Sequence, residues 1–152
     1  MIVRCSALVA QSAADVFDVI EAAEHYPVFL PWCTGATIVS RDAASVCADL
    51  RVRVAAVEFT MRTRNPMRRP EQMNICLERG PFRRFDGQWR LRAITETGCR
   101  VDFTLDCEFD SAVMTRLAGP VFERSASELV EAFVRRAGAV QRPARGAAPR
   151  TD

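Results

Sequence analysis

Apolar and polar residues alternate along much of the chain between residues 48 and 109. Because neighbouring side chains of a strand point to opposite faces, this period of two predicts an antiparallel sheet with one dry face and one wet face. Turn residues in "RNPMRRP", "RGPFRRFDG" and "TETG" separate the segments, and residues 2–10 alternate loosely as a first strand. The apolar positions are Ala48, Leu50, Val52, Val54; Val57, Phe59, Met61; Met73, Ile75, Leu77; Trp89, Leu91, Ala93; and Cys99, Val101, Phe103, Leu105, Cys107, Phe109.

Helical spacing appears before and after this region. Residues 12–15 resemble a capping box, and the apolar spacing that follows predicts a helix over residues 13–24. The helical period returns from 111 to 137, which would make one helix of about 40 Å at 1.5 Å per residue. Gly119-Pro120 should kink this helix or divide it in two. Its predicted inward stripe contains Val113, Leu117, Val121, Ser125, Ala126, Leu129 and Phe133, widened by Met114, Ala118, Phe122 and Val130.

The segment "HYPVFLPW" (residues 25–32) lies between the first helix and the sheet. Two prolines make it too interrupted for an ordinary strand or helix, so we expect a short apolar lid at one end of the sheet. Two interpretations remain open. The lid is either a core plug or a gate in which Tyr26, Phe29, Leu30 and Trp32 line the mouth of a cavity.

These elements predict an α+β fold. Five or six strands after the first helix would form a curved antiparallel sheet that wraps around the long C-terminal helix. No other predicted element is long enough to cover the dry face of the sheet. The helix stripe is small at Ala118, Gly119, Ser125 and Ala126, so a hydrophobic cavity is expected between helix and sheet. One domain should cover residues 1–138, with a disordered tail at 139–152.

Composition restricts the chemistry. No apolar run approaches the length of a transmembrane helix, and no secretory signal is apparent. The six cysteines form no CxxC pair and His25 is the only histidine, so we expect reduced, mostly buried thiols, no metal site and a cytoplasmic protein. Every basic residue is arginine, which excludes Schiff-base chemistry by lysine.

Charge is unevenly placed. Residues 60–92 hold nine arginines against three acidic residues, a local charge of +6, whereas residues 11–31 hold four acidic residues and no arginine. The first region is either a solvated sheet face or a surface for anionic lipid headgroups or RNA. The candidate contacts are Arg68, Arg69, Arg83 and Arg84, with Phe82, Phe85 or Trp89 as a weaker stacking option. DNA is not an expected partner.

No catalytic group of residues is recognisable. His25 has no orienting carboxylate or nucleophile, the Asp and Glu residues of the strands fall on the wet register, and neither a P-loop nor GxGxxG occurs. The dry register supplies Val, Phe, Leu, Met, Trp and Cys, which argues against cyclase chemistry in a cavity. We therefore expect a protein that is not an enzyme.

Three segments, "YPVFLPWCTGATIV", "GPFRRFDGQWRL" and "LAGPVFERSASELVEAFVRRA", resemble the coenzyme Q-binding START-domain family. The resemblance covers residues 1–138 and implies the helix-grip fold shared with START lipid-transfer proteins and bacterial polyketide cyclases. It implies binding of ubiquinone or another polyisoprenoid lipid between helix and sheet in support of respiratory electron transfer. Some bacterial relatives are instead ribosome-association toxins that act on the large subunit.

The leading hypothesis is thus a carrier of an isoprenoid quinone that visits the inner membrane peripherally and requires no cofactor. A regulator of the large ribosomal subunit is the alternative, and a polyketide cyclase-like enzyme is a third hypothesis. Trp89, Tyr26 or Ser125 would donate to the head group. The predicted ligand-binding residues are Tyr26, Phe29, Leu30, Trp32, Val52, Phe59, Met61, Ile75, Phe85, Trp89, Leu91, Val101, Phe103, Leu105, Leu117, Val121, Phe122 and Ser125.

Overall fold

The computed structural model describes the backbone of residues 1–150 and the side chains of residues 1–140. A 3-10 turn at Ala23–His25 separates the first two helices. The elements in chain order are β1 (Ile2–Val9), α1 (Ala13–Glu21), α2 (Tyr26–Phe29), β2 (Cys33–Arg41), β3 (Ser45–Val54), β4 (Val57–Arg68), β5 (Gln72–Arg79), β6 (Phe82–Thr95), β7 (Gly98–Phe109), α3 (Ala112–Ser127) and α4 (Leu129–Arg150).

The strands form one seven-stranded antiparallel sheet in the order β1-β7-β6-β5-β4-β3-β2. Six strands follow the first helix, which agrees with the predicted five or six. The strand that alternation did not locate is β2. It lies at the sheet edge and is largely exposed, so its sequence carries little of the apolar period that marks the interior strands.

The apolar register of the sheet forms the core. In β7, Cys99, Val101, Phe103, Leu105, Cys107 and Phe109 are all buried, as the alternation predicts. The curved sheet and the C-terminal helices that cover it match the predicted α+β helix-grip fold, so that prediction is confirmed.

The C-terminal helical region divides at Glu128, not at Gly119-Pro120. Pro120 lies within α3, whose first turn is capped by the Ser111 hydroxyl accepting from the Met114 backbone N–H. The inward face also differs from the prediction, because Val113 is 59% exposed and Leu117 is 55% exposed. Among residues 112–140 of the two helices, the buried positions are Ala118, Gly119, Ala126, Val130, Phe133 and Ala137.

The predicted start of the first helix is confirmed, since the Ser12 hydroxyl accepts from the Asp15 backbone N–H. This helix ends at Glu21, earlier than predicted, and the 3-10 turn follows. The expectation that the HYPVFLPW segment contains no helix is wrong, because Tyr26–Phe29 forms one helical turn. Pro27 is compatible with that turn because the first residues of a helix need no intrahelical N–H donor.

Four of the six cysteines are buried, as expected, while Cys76 is exposed on the outer face. Burial raises the pKa of the Cys107 thiol to about 11, so it stays protonated at neutral pH.

Among residues 1–150, no helix is both long and apolar enough to cross a membrane. The predicted tail at 139–152 overlaps the end of α4 as far as Arg150. Its side chains from residue 141 and all of residues 151–152 lie outside the described part of the chain. The disordered tail therefore stays a prediction.

Candidate functional site

An apolar cavity of about 100 Å³ lies between the inner face of the sheet and helices α3 and α4; it is called the inner cavity below. None of its lining residues, which fall between positions 23 and 133, is Asp, Glu, His, Lys or Arg. The lining consists of Ala23, Tyr26, Trp32, Ala48, Leu50, Val52, Val54, Met61, Thr63, Asn65, Met73, Ile75, Phe85, Trp89, Phe103, Leu105, Phe122, Ser125, Ala126, Leu129 and Phe133.

Many of the predicted ligand-binding residues meet at this cavity. They come from the HYPVFLPW segment, from five strands and from α3, because the inward register of a curved sheet converges on the covering helices. They are Tyr26, Trp32, Val52, Met61, Ile75, Phe85, Trp89, Phe103, Leu105, Phe122 and Ser125.

The remaining predicted residues lie elsewhere. Leu91 and Val101 are buried in the core, and Phe59 packs edge-to-face on Phe82. Phe29, Leu30 and Val121 line a neighbouring groove. The placement of Leu117 on the inward stripe is wrong, since the helix turns this side chain outward.

Thr63 and Asn65 are lining residues that the prediction missed. They continue the inward register of β4 beyond Val57, Phe59 and Met61, so the alternation itself would have located them. Thr63 is 3% exposed, and Asn65 Oδ1 is buried without a hydrogen-bond partner. The dry register therefore carries two polar side chains in addition to the Val, Phe, Leu, Met, Trp and Cys expected from the sequence.

An aromatic cluster ties the HYPVFLPW segment to the cavity wall. Phe133, also missed as a lining residue, lies 5.2 Å from Tyr26, 5.2 Å from Phe29 and 4.9 Å from Trp89 between ring centroids. The Tyr26 hydroxyl donates to the Ile20 carbonyl oxygen, and burial raises the pKa of Tyr26. Its proton is thus already used within the chain, which weakens the prediction that it donates to a ligand head group.

A second depression, the outer groove, adjoins the inner cavity and measures about 430 Å³. It runs between Phe29–Trp32, the β3–β4 turn at Ala55 and the α3–α4 junction. Both depressions are lined by Trp32, Val54, Ser125 and Leu129. Trp32 is only half-buried, and its position between groove and cavity is the one that a gate would occupy.

The four arginines predicted to face a membrane or RNA all form ion pairs. Arg68 lies 3.6 Å from Glu71, and Arg69 pairs with Asp18 and Glu21 of α1. Arg83 lies 3.3 Å from Glu108, and Arg84 lies 2.9 Å from Asp106. The local charge of +6 over residues 60–92 leaves out the carboxylates of α1 and β7 that pair with these arginines. The region is therefore less basic than the sequence predicts.

The acidic segment at residues 11–31 also finds partners. Besides the Arg69 pairs, the Arg41 guanidinium donates two hydrogen bonds of 2.8 Å to the Glu24 carboxylate. These bonds lower the pKa of Glu24 to about 2. The pair attaches the 3-10 turn before the HYPVFLPW segment to the sheet edge at β2.

The geometry supports neither a catalytic role for His25 nor the stacking of aromatic side chains on RNA. His25 is exposed at the end of the 3-10 turn and does not line the inner cavity. Phe82 and Trp89 are buried, and Phe85 lines the cavity, so these rings do not present a stacking face to RNA. The arrangement suits an uncharged apolar ligand with a few polar atoms.

Two curated proteins illustrate the relatives of this chain. It is 33% identical over 132 residues to the ribosome association toxin RatA of Escherichia coli (strain K12), covering 87% of this chain and 84% of that protein. It is 25% identical over 134 residues to the mitochondrial coenzyme Q-binding protein COQ10 homolog B of Xenopus laevis, covering 85% and 54%. The predicted resemblance is therefore confirmed.

Solved structures agree on the fold. The Zhui aromatase/cyclase from Streptomyces sp. R1128 superposes with a TM-score of 0.74 at 18% identity, covering 90% of this chain and 93% of that one. A START superfamily protein from Mycobacterium smegmatis gives 0.71 at 19% identity, covering 93% and 97%. Residues 9–134 match the family model described as polyketide cyclase / dehydrase and lipid transport, and the chain belongs to that family.

Proposed function

We propose that this protein binds a lipophilic ligand in the inner cavity, namely ubiquinone or another isoprenoid quinone, and carries it in support of respiratory electron transfer. The observation that supports this most directly is the uncharged, largely apolar lining enclosed between sheet and helices. A coenzyme Q-binding relative and the lipid-transport part of the family description agree with it. The carrier would visit the cytoplasmic face of the inner membrane peripherally.

The size of the cavity limits what it holds. Typical ligand pockets measure about 300–1,000 Å³, whereas an apolar cavity of about 150 Å³ is enough for benzene. At about 100 Å³ the inner cavity is smaller than that benzene cavity, so it holds a few isoprenoid carbons as it stands and must widen by side-chain movement to admit a quinone ring, with the rest of the ligand in the outer groove. Each buried methylene contributes about 0.8 kcal/mol, so several isoprene units give useful affinity without a charged anchor.

Intrinsic fluorescence offers a direct binding assay. The chain has two tryptophans, Trp32 and Trp89, and both line the inner cavity. A short-tailed ubiquinone analogue should quench their emission with saturable, micromolar titration curves. Mass spectrometry of lipid extracts from protein purified out of its native membranes should identify a quinone or related isoprenoid.

A cavity-filling substitution provides the matched comparison. Ala126 is buried and lines the cavity, whereas Leu117 is exposed on the other side of the same helix. Ala126→Met should weaken quinone binding about tenfold, and Leu117→Met should leave it unchanged. Equal affinity for both variants, or absence of any bound isoprenoid, would overturn the proposal.

A second candidate, association with the large ribosomal subunit, is favoured by the ribosome association toxins at 33% identity. A surface groove on the outer sheet face brings together Arg68, Arg90 and Arg92 beside Glu71 and Asp102. Arginines of such a groove can contact RNA phosphates in a salt-dependent manner.

A cyclase-type activity would need an acid or base in the cavity, and the lining contains no Asp, Glu or His.

Co-sedimentation with ribosomes at increasing salt tests this candidate. Neutralising Arg68, Arg69, Arg83 and Arg84 together should abolish salt-sensitive sedimentation with the large subunit. The double variant Arg90→Gln/Arg92→Gln tests the surface groove on the outer sheet face separately. Sedimentation that is unaffected by all of these changes would count against the ribosomal role without bearing on quinone binding.

A further inference from the structure

The inner cavity has one polar region, formed by Thr63 and Asn65 on β4. The two residues occupy successive inward positions, about 7 Å apart along the strand. Their cross-strand neighbours are apolar, since Thr63 lies opposite Ala48 and Leu77, and Asn65 lies opposite Val46. At these register positions β3 supplies no polar side chain to either residue, and β5 supplies none to Thr63.

Asn65 Oδ1 is the unusual atom of this region, because it is buried and no donor reaches it. Buried polar atoms are almost always hydrogen-bonded, and an acceptor without a partner destabilises the folded state. A ligand in the cavity would remove this penalty if it brought an O–H or N–H group to Asn65. The Thr63 hydroxyl, in the same lining, can both donate and accept.

The polar region lies far from the outer groove. Ala48, opposite Thr63, and Val54, which also lines the outer groove, are both cavity residues of β3. Six residues of strand separate them, which corresponds to about 20 Å. A ligand with its head group at Asn65 would extend its apolar tail past Trp32 and Leu129 toward the outer groove.

We propose that Asn65 and Thr63 form the head-group subsite and that it selects a ring bearing hydroxyl donors, so that the protein binds a quinol in preference to the corresponding quinone. This inference rests on the proposed function. An oxidised quinone presents only carbonyl acceptors, which can accept from Asn65 Nδ2 or the Thr63 hydroxyl but leave Asn65 Oδ1 without a partner, whereas a quinol O–H donates to Oδ1 as well. The site thereby distinguishes the two redox states of one ligand without catalysing their interconversion.

The test measures binding of one short-tailed ubiquinone analogue in both redox states by isothermal titration calorimetry, with the quinol kept reduced under argon. The intact chain should bind the quinol about tenfold more tightly than the quinone. Asn65→Leu, of similar volume, should weaken quinol binding about tenfold while leaving quinone binding equal or tighter. Thr63→Val should reduce the preference, and Thr60→Val, exposed on the outer register of the same strand, should leave it unchanged.

The outcomes separate this inference from the function on which it rests. Tighter binding of the quinone, or an unchanged preference in Asn65→Leu, overturns the head-group assignment while the carrier function stands. Failure of the intact chain to bind either form overturns both. Since Asn65→Leu removes an unpartnered buried acceptor, its melting temperature should equal or exceed that of the unmodified chain, which shows that any loss of binding is not a loss of fold.

Discussion

The ring of Phe133 in α4 meets the ring of Tyr26 edge-to-face, with centroids 5.2 Å apart. Phe133 also contacts Phe29 and Trp89, so one side chain joins the HYPVFLPW segment to the last helix and to the sheet. The position of that segment beside the inner cavity therefore depends on how α4 packs.

Phe133→Ala should lower the free energy of unfolding by about 3–5 kcal/mol, because it empties a buried aromatic site. Urea denaturation measures this change. Arg135→Ala, at an exposed position on the same helix, should change the free energy of unfolding by less than about 0.5 kcal/mol. A loss below about 1 kcal/mol in Phe133→Ala would show that this ring does not hold the segment.

Trp32→Ala should weaken quinone binding more than it weakens folding, since Trp32 is half-buried and borders both the inner cavity and the outer groove. Affinity and the urea midpoint are measured on the same preparation. Equal losses of binding and stability would favour the core-plug interpretation over the gate.

The exposed and buried faces of α3 can be compared at adjacent positions. Ala118 is fully buried and Leu117 is 55% exposed, so Ala118→Leu should cost about 1–3 kcal/mol by overpacking the core. Leu117→Gln should stay within about 0.5 kcal/mol of the unmodified chain in urea denaturation. A larger loss of stability in Leu117→Gln than in Ala118→Leu would instead support the inward position of Leu117 that the sequence predicts.

Arg41→Leu should lower stability by about 0.5 kcal/mol at neutral pH, the scale of an exposed ion pair. Because Arg41 depresses the pKa of Glu24 from 4.5 to about 2, the stabilisation is complete above about pH 4.5 and is lost as pH falls toward 2. Unfolding free energies across this range should converge for the two proteins. Arg116→Leu, an exposed change on α3, should instead follow the unmodified chain at every pH.

The period-two pattern was enough to predict the sheet, its dry face and many of the cavity residues. It works because strand geometry places every second side chain on the same face regardless of distant neighbours. Thr63 and Asn65 occupy the same inward register, but apolar positions alone do not reveal them because both side chains are polar. Helix starts at Ser12 and Ser111 are likewise local features, since the cap hydroxyl bonds within its own first turn.

Other features follow only from contacts between parts distant in sequence. The charge sum over residues 60–92 could not include the carboxylates of α1 and β7 that the fold brings against Arg69 and Arg84. Local spacing also left the rotation of α3 undetermined, because Leu117 and Ala118 both continue an apolar stripe and only packing on the curved sheet selects Ala118. The sequence by itself thus determined the strands other than β2, their inward faces and the fold class. The tertiary structure decided the helix face, the break at Glu128, the ion-pair partners and the burial of Asn65 Oδ1, because each depends on which surfaces meet when the sheet closes over the helices.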